Sequence, residues 1–379
     1  MFDYSERIEK FREERVRLST TFLEKLLAHR KANRDRLIAR LPDYIPGLTI
    51  NESNFKPQGS VAVRLVIQTR FDEEEYDVDD GLVLAKHELI DEYGNALSAE
   101  EVKRRVCAAL QDDRFLKQPE VHHNCVRVSY AETDEEKHHV DFAIYRRFLI
   151  GEEKIRELAG ESGWNRSDPT QVNYWFDNLV EDRNRQGDGW GAQLRHLIQL
   201  LKRFCRSRRD WDMPNGMKLT MLVAECQPEY GSRIDEVFRS LLRKLDVRLT
   251  SSKVIRNLAH PDRPALTRSN ADRNVIDLHE RIKDALRCLE KLDAPGANNA
   301  DSAREVWDWI FQSDDFFARF DEQREDEEQE KEKALLEKAA LVGAGARTSE
   351  AGVLGSIGVS NMPHRFYGPQ DVDSKGSGS

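Results

Sequence analysis

The chain has 379 residues, a formal net charge of −10 and a mean hydropathy of −0.70. An acidic chain is a poor default binder of duplex nucleic acid or anionic membrane, because phosphate attraction would have to come from local patches. There is no run of about 18 apolar residues, which excludes an ordinary membrane-spanning helix. The five cysteines form no CxxC pair, so we expect free thiols, a reducing compartment and a cytoplasmic protein.

The N-terminal part mixes helix and strand signals. Apolar residues at helical spacing predict one or two helices in the first forty residues. Ser98, with Glu101 three residues later, is a capping-box pattern and predicts a helix over 98–112. The segments "HNCVRVSYAE" and "KHHVDFAIYRRF" alternate between apolar and polar residues, which predicts two paired strands joined by the polar turn "ETDEEK".

From about residue 155 the pattern becomes helical. Asp168 before Pro169 indicates a helix opening, and three amphipathic segments follow: "QLRHLIQLLKRFCRSRRDW", "RIDEVFRSLLRKLDV" and "NVIDLHERIKDALRCLEKL". The last sixty residues turn to charge and then to Gly, Ala and Ser, which is typical of a solvated helix that ends in a disordered tail. We therefore predict three segments: an α/β core with an N-terminal helix (1–155), a helical second domain (156–320), and a charged helix with a tail (321–379).

Three carboxylates stand within the strand-like segment "EEYDVDDGLVL". Residues i and i+2 of a strand point to the same face, so Asp77 and Asp79 should project together while Asp80 faces the other way. Two neighbouring carboxylates suit a hard divalent cation such as Mg²⁺, which is usually held by one or two carboxylates plus substrate phosphates. An isolated DxD can also be a solvated acidic turn. We expect Asp80 to cap the turn into Gly81.

Two further features strengthen the metal hypothesis. Asp141 lies in the otherwise apolar segment "HHVDFAIY", where a carboxylate is either paired or functional. If its strand lies beside the first, three carboxylates meet, which suits the two-metal arrangement of polymerases. Gly59 and Ser60, in "KPQGS", stand 18 residues ahead of Asp77, and the glycine allows the backbone to approach an anion closely.

These motifs together resemble the CD-NTases, bacterial relatives of cyclic GMP-AMP synthase and oligoadenylate synthase among the polymerase-β-like nucleotidyltransferases. The shared pattern is "QGS", then "YDVDDG", then "HVDxxxY", and the "DDG" form is similar to the DncV-like branch. The segment "SDPTQVNYWFDN" and a following "LRxxxxxxK" extend the resemblance over residues 5–320. It implies an α+β fold: a polymerase-β-like core of mixed sheet and helices plus a helical C-terminal domain, bilobed, with the active site in the cleft.

The resemblance also implies roles for individual residues. Gly59 and Ser60 would bind the donor triphosphate, Asp77 and Asp79 would hold metal, and Asp141 would complete the metal site and help to activate the acceptor hydroxyl. Lys202 matches a helical lysine that reaches a triphosphate, and Thr220 falls where the branch often has a small hydroxyl near the nucleotide. The cofactor would be two Mg²⁺ ions, with Mn²⁺ as an alternative. The function implied is a magnesium-dependent nucleotidyltransferase that joins ATP and GTP into a cyclic di- or oligonucleotide second messenger for antiphage defence.

Several alternatives remain open at this level. The same triad would serve a linear oligonucleotide synthase, and a non-catalytic nucleotide-binding or antitoxin-like protein is a third function. Lys202 could be a solvated helix-face lysine, and the basic segment 202–209 a solvated helix end. We interpret His138 and His139 as strand-end polar residues rather than zinc ligands. The C-terminal stretch around 364–368 could be a recognition peptide for a ubiquitin-transfer-like partner enzyme, whereas a nucleic-acid activator is not expected.

Overall fold

The computed structural model describes residues 1–71, 73–130 and 137–343 together with three two-residue strands at 347–348, 354–355 and 359–360. The chain forms two compact units, Met1–Asp314 and Asp315–Ser379, and the first contains every residue predicted for the site. Strand Glu153–Gly160 crosses the boundary predicted at residue 155. The division of the chain into segments 1–155, 156–320 and 321–379 stays a prediction.

The first unit contains a mixed seven-stranded sheet with the order β1-β2-β5-β4-β3, extended by β6 on β5 and β7 on β6. Only β2 and β5 are parallel among these pairs. The predicted pairing of the two alternating segments is confirmed as β4 with β5, while most of the turn between them lies outside the described residues. The strands are β1 Phe55–Pro57, β2 Tyr76–Ala85, β3 Glu120–Val121, β4 Val126–Tyr130, β5 His138–Ile150, β6 Glu153–Gly160 and β7 Gly163–Arg166.

Helices surround this sheet and continue to the end of the unit. The predicted amphipathic segments after residue 155 are confirmed as α6, α8 and α9. This arrangement of mixed sheet plus helical C-terminal region is the predicted α+β fold class. The helices are α1 Ser5–Phe11, α2 Thr20–Tyr44, α3 Gly59–Ala62, α4 Ala99–Leu110, α5 Gln171–Gln186, α6 Trp190–Cys205, α7 Gly216–Cys226, α8 Ile234–Ser251, α9 Arg273–Glu290 and α10 Ala300–Phe311.

The two faces of β2 and β5 differ in chemistry. One face is apolar apart from Asp80, because the other residues on it are large hydrophobes; Val78, Leu82 and Phe142 are fully buried there in a core that includes residues of α2 and α4. The opposite face carries Asp77 and Asp79 of β2, in register with residues of β5. The sheet thus has a packed core on one side and a polar surface on the other, and successive residues of a strand face opposite sides.

The helix ends predicted from local sequence patterns agree with the structure in one case and differ from it in others. The capping box on α4 is confirmed, since Ser98 Oγ accepts from the Glu101 backbone N–H and Glu101 Oε2 accepts from that of Ser98. The opening predicted at Asp168 is wrong by two residues: α5 begins at Gln171 with Thr170 as its N-cap residue, and Asp168 accepts from the Thr170 backbone N–H. The alternative of a solvated helix end for 202–209 holds only in part: Arg206 and Arg209 are exposed, whereas Lys202 and Arg203 are buried. Helix α6 ends at Cys205, and Lys202 lies buried within it.

The second unit contains helix α11, Phe316–Gly343, and a three-stranded antiparallel sheet of β8 Arg347–Thr348, β9 Leu354–Gly355 and β10 Val359–Ser360. The recognition peptide proposed around residues 364–368 lies outside the described residues. None of the described helices is both long and apolar enough to cross a bilayer.

Candidate active site

One cavity of about 690 Å³ collects most of the predicted site residues. Its volume lies within the range of about 300–1,000 Å³ that is usual for small-molecule sites. Asp141 is set beside Asp77 at its edge: ligand atoms of Asp77, His139 and Asp141 all lie within 4.8 Å of one another. The predicted residues that line the cavity are Gly59, Ser60, Asp77, Asp79, Lys202 and Thr220.

Strand register explains why the carboxylates meet. In the parallel pair β2–β5, Asp77 stands opposite His139 and Asp79 opposite Asp141. Residues in register on adjacent strands present their side chains on the same face, only one strand spacing apart. Packing alone would not need two carboxylates from β2 and a third from the distant segment of β5. They are gathered here because the strands align.

The ionisation of Asp79 is disfavoured by its burial and by its charged neighbours. Burial, followed by the charges of Asp77 and Asp141, raises the pKa of Asp79 to about 7. Near neutral pH this carboxylate therefore ionises only in part unless a positive group comes close. A divalent cation or a substrate-bound metal would supply that charge.

Gly59 is required by its contact with Asp79. Its φ is +67°, in the left-handed region, and a Cβ built on it would lie 1.8 Å from Asp79 Oδ2. The backbone N–H of Gln58 also donates to the Asp79 carbonyl at 3.2 Å. The loop predicted to bind phosphate is thus packed directly against the predicted metal ligand.

Asp141 already has a cationic partner in the structure. Arg127 of β4, in register with it, donates from Nε and Nη2 to its two carboxylate oxygens at 2.8 and 2.7 Å. Burial and the neighbouring Asp141 raise the pKa of the Cys125 thiol to about 12, which keeps that thiol protonated. The two bonds from Arg127 fix the orientation of the Asp141 carboxylate.

Asp80 corrects an expectation from the sequence. It does not cap a turn, because β2 runs straight through Gly81 to Ala85. Asp80 is fully buried on the core face, where Arg34 of α2 donates to both of its oxygens at 2.6 and 2.8 Å. Burial raises the pKa of Asp80, and the Arg34 guanidinium opposes that rise.

Lys202 lies at the inner wall of the cavity. Only 7% of it is exposed, so the alternative of a solvated helix-face lysine is wrong. Its Nζ donates to the Leu65 carbonyl at 2.7 Å, and burial, with Arg206 nearby, lowers its pKa to about 7. Contact with a triphosphate remains a prediction, because the ammonium is now engaged by backbone.

Thr220 contributes less than expected. Its hydroxyl lines the cavity but donates to the Gly216 carbonyl one turn earlier at 2.8 Å. This bond is the usual local choice of a threonine inside a helix. A contact between Thr220 and the nucleotide stays a prediction.

Three site residues were missed by sequence reasoning. His139 is the second residue of β5, close to the strand end as predicted, yet it is buried and lies close to both Asp77 and Asp141. Burial disfavours a charged imidazole, but these carboxylates outweigh that effect and raise its pKa. Arg127 was not predicted, and Arg206 was included only as part of the basic segment 202–209. The alternation of β4 and β5 could have placed Arg127 and His139 on the acidic face, had the register been known.

The donor set fits a divalent metal. Carboxylate oxygens are hard ligands, and like charges gathered this closely repel one another unless a cation lies between them. Asp77 and Asp141 could hold such an ion together, with Asp79 facing the phosphate loop. This arrangement can bind and polarise a metal–triphosphate complex.

Comparison with known proteins agrees with this geometry. Residues 53–145 match the family model for the nucleotidyltransferase domain of cyclic GMP-AMP synthase DncV-like proteins. Over these residues the chain resembles a nucleotidyltransferase domain of the DncV-like type. The matched domain contains Gly59, Ser60 and the three predicted metal ligands, while Lys202 and Thr220 lie beyond it.

Solved structures of DncV share the fold over most of the chain. Vibrio cholerae DncV in complex with the linear intermediate 5′ pppA(3′,5′)pG is 14% identical, with a TM-score of 0.63, covering 82% of this chain and 95% of that one. The V. cholerae protein with nonhydrolyzable GTP is 15% identical, with a TM-score of 0.63 and 82% and 96% coverage. Escherichia coli DncV in its 3′-deoxy GTP bound form is 16% identical, with a TM-score of 0.59 and 78% and 92% coverage.

Proposed function

We propose that this protein joins nucleoside triphosphates into a cyclic di- or oligonucleotide second messenger and releases pyrophosphate at each step. The observation that carries the proposal is the convergence of Asp77, Asp79 and Asp141 at a cavity whose wall is the Gly59–Ser60 loop. Substrates of the same kind occur in the similar structures, which hold GTP or a linear ATP–GTP intermediate. ATP and GTP are therefore the first substrates to test here.

Each residue then has a distinct task. Gly59 leaves room for the phosphates beside Asp79, since any side chain there would fill that space. Asp77 and Asp79 would hold the metal that binds the triphosphate, and Asp141, oriented by Arg127, would take the proton that the acceptor hydroxyl loses. Two bound Mg²⁺ ions would lower the pKa of that hydroxyl and stabilise the leaving pyrophosphate. Lys202 would add positive charge on the far wall.

The biological setting follows from the family resemblance and is part of the proposal. A nucleotide messenger made in the cytoplasm would signal phage infection, and a ubiquitin-transfer-like partner could act on the C-terminal residues. The five free cysteines agree with a reducing compartment.

The test is incubation with each labelled triphosphate and with all pairs in the presence of Mg²⁺, followed by product identification by mass. A product with no terminal phosphate that resists phosphatase would support a cyclic synthase. A phosphatase-sensitive product would show a linear oligonucleotide synthase. No product under any pair, with intact triphosphate binding, would show a non-catalytic nucleotide-binding protein and overturn the proposal.

A further inference from the structure

His139 is the nitrogen-bearing member of the acidic cluster. It stands opposite Asp77 in the β2–β5 register and two residues before Asp141 on the same strand face. Its residue is 7% exposed, and its Nε2 lies 3.1 Å from Asp77 Oδ1 and 3.8 Å from Asp141 Oδ2. Ligands of one metal ion at 2.0–2.2 Å are separated by about 3–3.6 Å. The separation of Nε2 from Asp77 lies within this range, and that from Asp141 is slightly above it.

The other nitrogen of His139 is already held. Nδ1 lies 3.1 Å from Glu75 Oε2, at hydrogen-bonding distance and geometry. If Nδ1 carries the proton, it donates a hydrogen bond to Glu75. The lone pair of Nε2 then faces Asp77 and Asp141. A carboxylate that orients a ligating histidine in this way is the usual partner arrangement at protein metal sites.

Nε2 itself is buried and makes no well-formed hydrogen bond to any residue that the structure describes. It lies 3.1 Å from Asp77 Oδ1, a contact that is an ion pair only when the imidazole is protonated. In a neutral imidazole, a buried nitrogen that is left unpaired destabilises the fold. Such an atom, aimed at two carboxylates, indicates a missing ligand between the three side chains.

We infer that His139 is a direct ligand of the divalent cation that Asp77 and Asp141 bind, with Glu75 as its positioning residue. This inference rests on the proposed metal-dependent function. It adds an imidazole nitrogen to an otherwise oxygen-only site. Because imidazole suits transition metals more than it suits Mg²⁺, the site should bind Mn²⁺ more tightly than Mg²⁺.

The decisive probe is Mn²⁺ bound to the wild-type protein, examined by electron spin echo envelope modulation. A directly coordinated imidazole gives a ¹⁴N modulation, which should change to the ¹⁵N pattern in protein labelled with [¹⁵N]histidine. This labelled wild type needs no substitution, so it stands even if a variant folds poorly. Absence of a nitrogen modulation from bound Mn²⁺, or absence of Mn²⁺ binding, would overturn the inference.

Variants assign the nitrogen to one histidine. His139→Gln should lose the modulation and weaken Mn²⁺ binding at least about tenfold, and Glu75→Gln should weaken it by a smaller factor. The matched control is His138→Gln, which alters the preceding buried histidine on the opposite strand face, stacked on Tyr130 at 4.8 Å. That control should retain the modulation. Modulation that persists in His139→Gln would overturn the assignment.

Activity separates this inference from the proposed function. If products form with Mg²⁺ but bound Mn²⁺ shows no nitrogen coupling, the function stands and His139 is a counter-ion of the carboxylates, not a ligand. If the coupling is present but no product forms with any triphosphate, His139 is a ligand and the proposed function fails.

Discussion

The two faces of strand β2 use the same residue type for opposite purposes. On the core face Asp80 is completely buried, yet both of its oxygens accept hydrogen bonds from Arg34. On the other face Asp77 and Asp79 meet Asp141, and the pKa of Asp79 is raised to about 7 by burial and by these like charges. A buried carboxylate with a fixed cation maintains the fold, whereas a cluster of carboxylates short of positive charge is prepared for a ligand.

The largest loss of activity is expected from substitutions on the face of β2 that carries Asp77 and Asp79, which we call the ligand-binding face. Replacing Asp77 and Asp79 together by Asn should lower nucleotide incorporation at least about a thousandfold, because the metal-bound triphosphate loses its carboxylates. The unfolding midpoint should stay equal or rise, since like-charge repulsion is removed. EDTA should reproduce the loss in the wild type. Product formation at the wild-type rate by this double variant would refute the assignment.

A substitution at Asp80, on the core face of β2, should have the opposite effect: it should lower stability and leave activity unchanged. Asp80→Asn leaves the Arg34 guanidinium without its full counter-charge and should lower the free energy of unfolding by about 3 kcal/mol. The folded fraction should retain nucleotide incorporation. Chemical denaturation measures the loss, and the pair Arg34→Met with Asp80→Leu should recover most of it, because both charges are then removed. An unchanged free energy of unfolding in Asp80→Asn would contradict the structural role.

The phosphate loop connects to the ligand-binding face through one glycine. Gly59→Ala should reduce triphosphate incorporation by about two orders of magnitude, since its Cβ would overlap Asp79 Oδ2 and displace the carboxylate by more than an ångström. The matched control is Gly94→Ala. Gly94 has a φ of +83° with no heavy atom within 4 Å of the added Cβ. Both substitutions should cost about 1–2 kcal/mol of stability for the left-handed backbone, but only the first should affect incorporation.

The sequence pattern identifies the carboxylates of the site but not all of the residues that pair with them. Strand periodicity alone places Asp77 and Asp79 together and Asp80 apart. The partner of Asp80 stands 46 residues earlier on α2, and Arg127 and His139 join the site only through the register of β4, β5 and β2. Long-range register and helix docking are set by tertiary packing, so a local pattern cannot supply them. The burial of Lys202 depends on the same kind of packing, against the loop at Leu65.

The smallest effect concerns Lys202 and pH. Burial and Arg206 lower its pKa from 10.5 to about 7, so above neutral pH the folded lysine is mostly uncharged. The unfolded state then binds more protons, and the free energy of unfolding should rise with pH from about 7 toward 10.5. Lys202→Met should remove this rise in denaturation series at several pH values. A wild-type slope in the variant would exclude the buried lysine as its cause.

The same residue should make triphosphate binding depend on pH. A charge-assisted bond is worth about 1.5–3 kcal/mol, so Lys202→Met should weaken triphosphate binding by about one to two orders of magnitude at pH 6.5. The difference between the two proteins should shrink at pH 8.5, where the wild-type lysine must first take up a proton. Titration calorimetry at both values measures this. Equal affinities at pH 6.5 would show that Lys202 does not contact the triphosphate.

The central claim is that the Asp77–Asp79 face binds a divalent cation and the Asp80 face does not. The most direct measurement is the unfolding midpoint with increasing Mn²⁺, relative to EDTA, for the wild type, the Asp77→Asn/Asp79→Asn variant and Asp80→Asn. A ligand that binds only the folded state raises the midpoint as its concentration increases. We predict this rise in the wild type and, from a lower starting value, in Asp80→Asn, with none in the double variant. A full rise in the double variant would contradict the account.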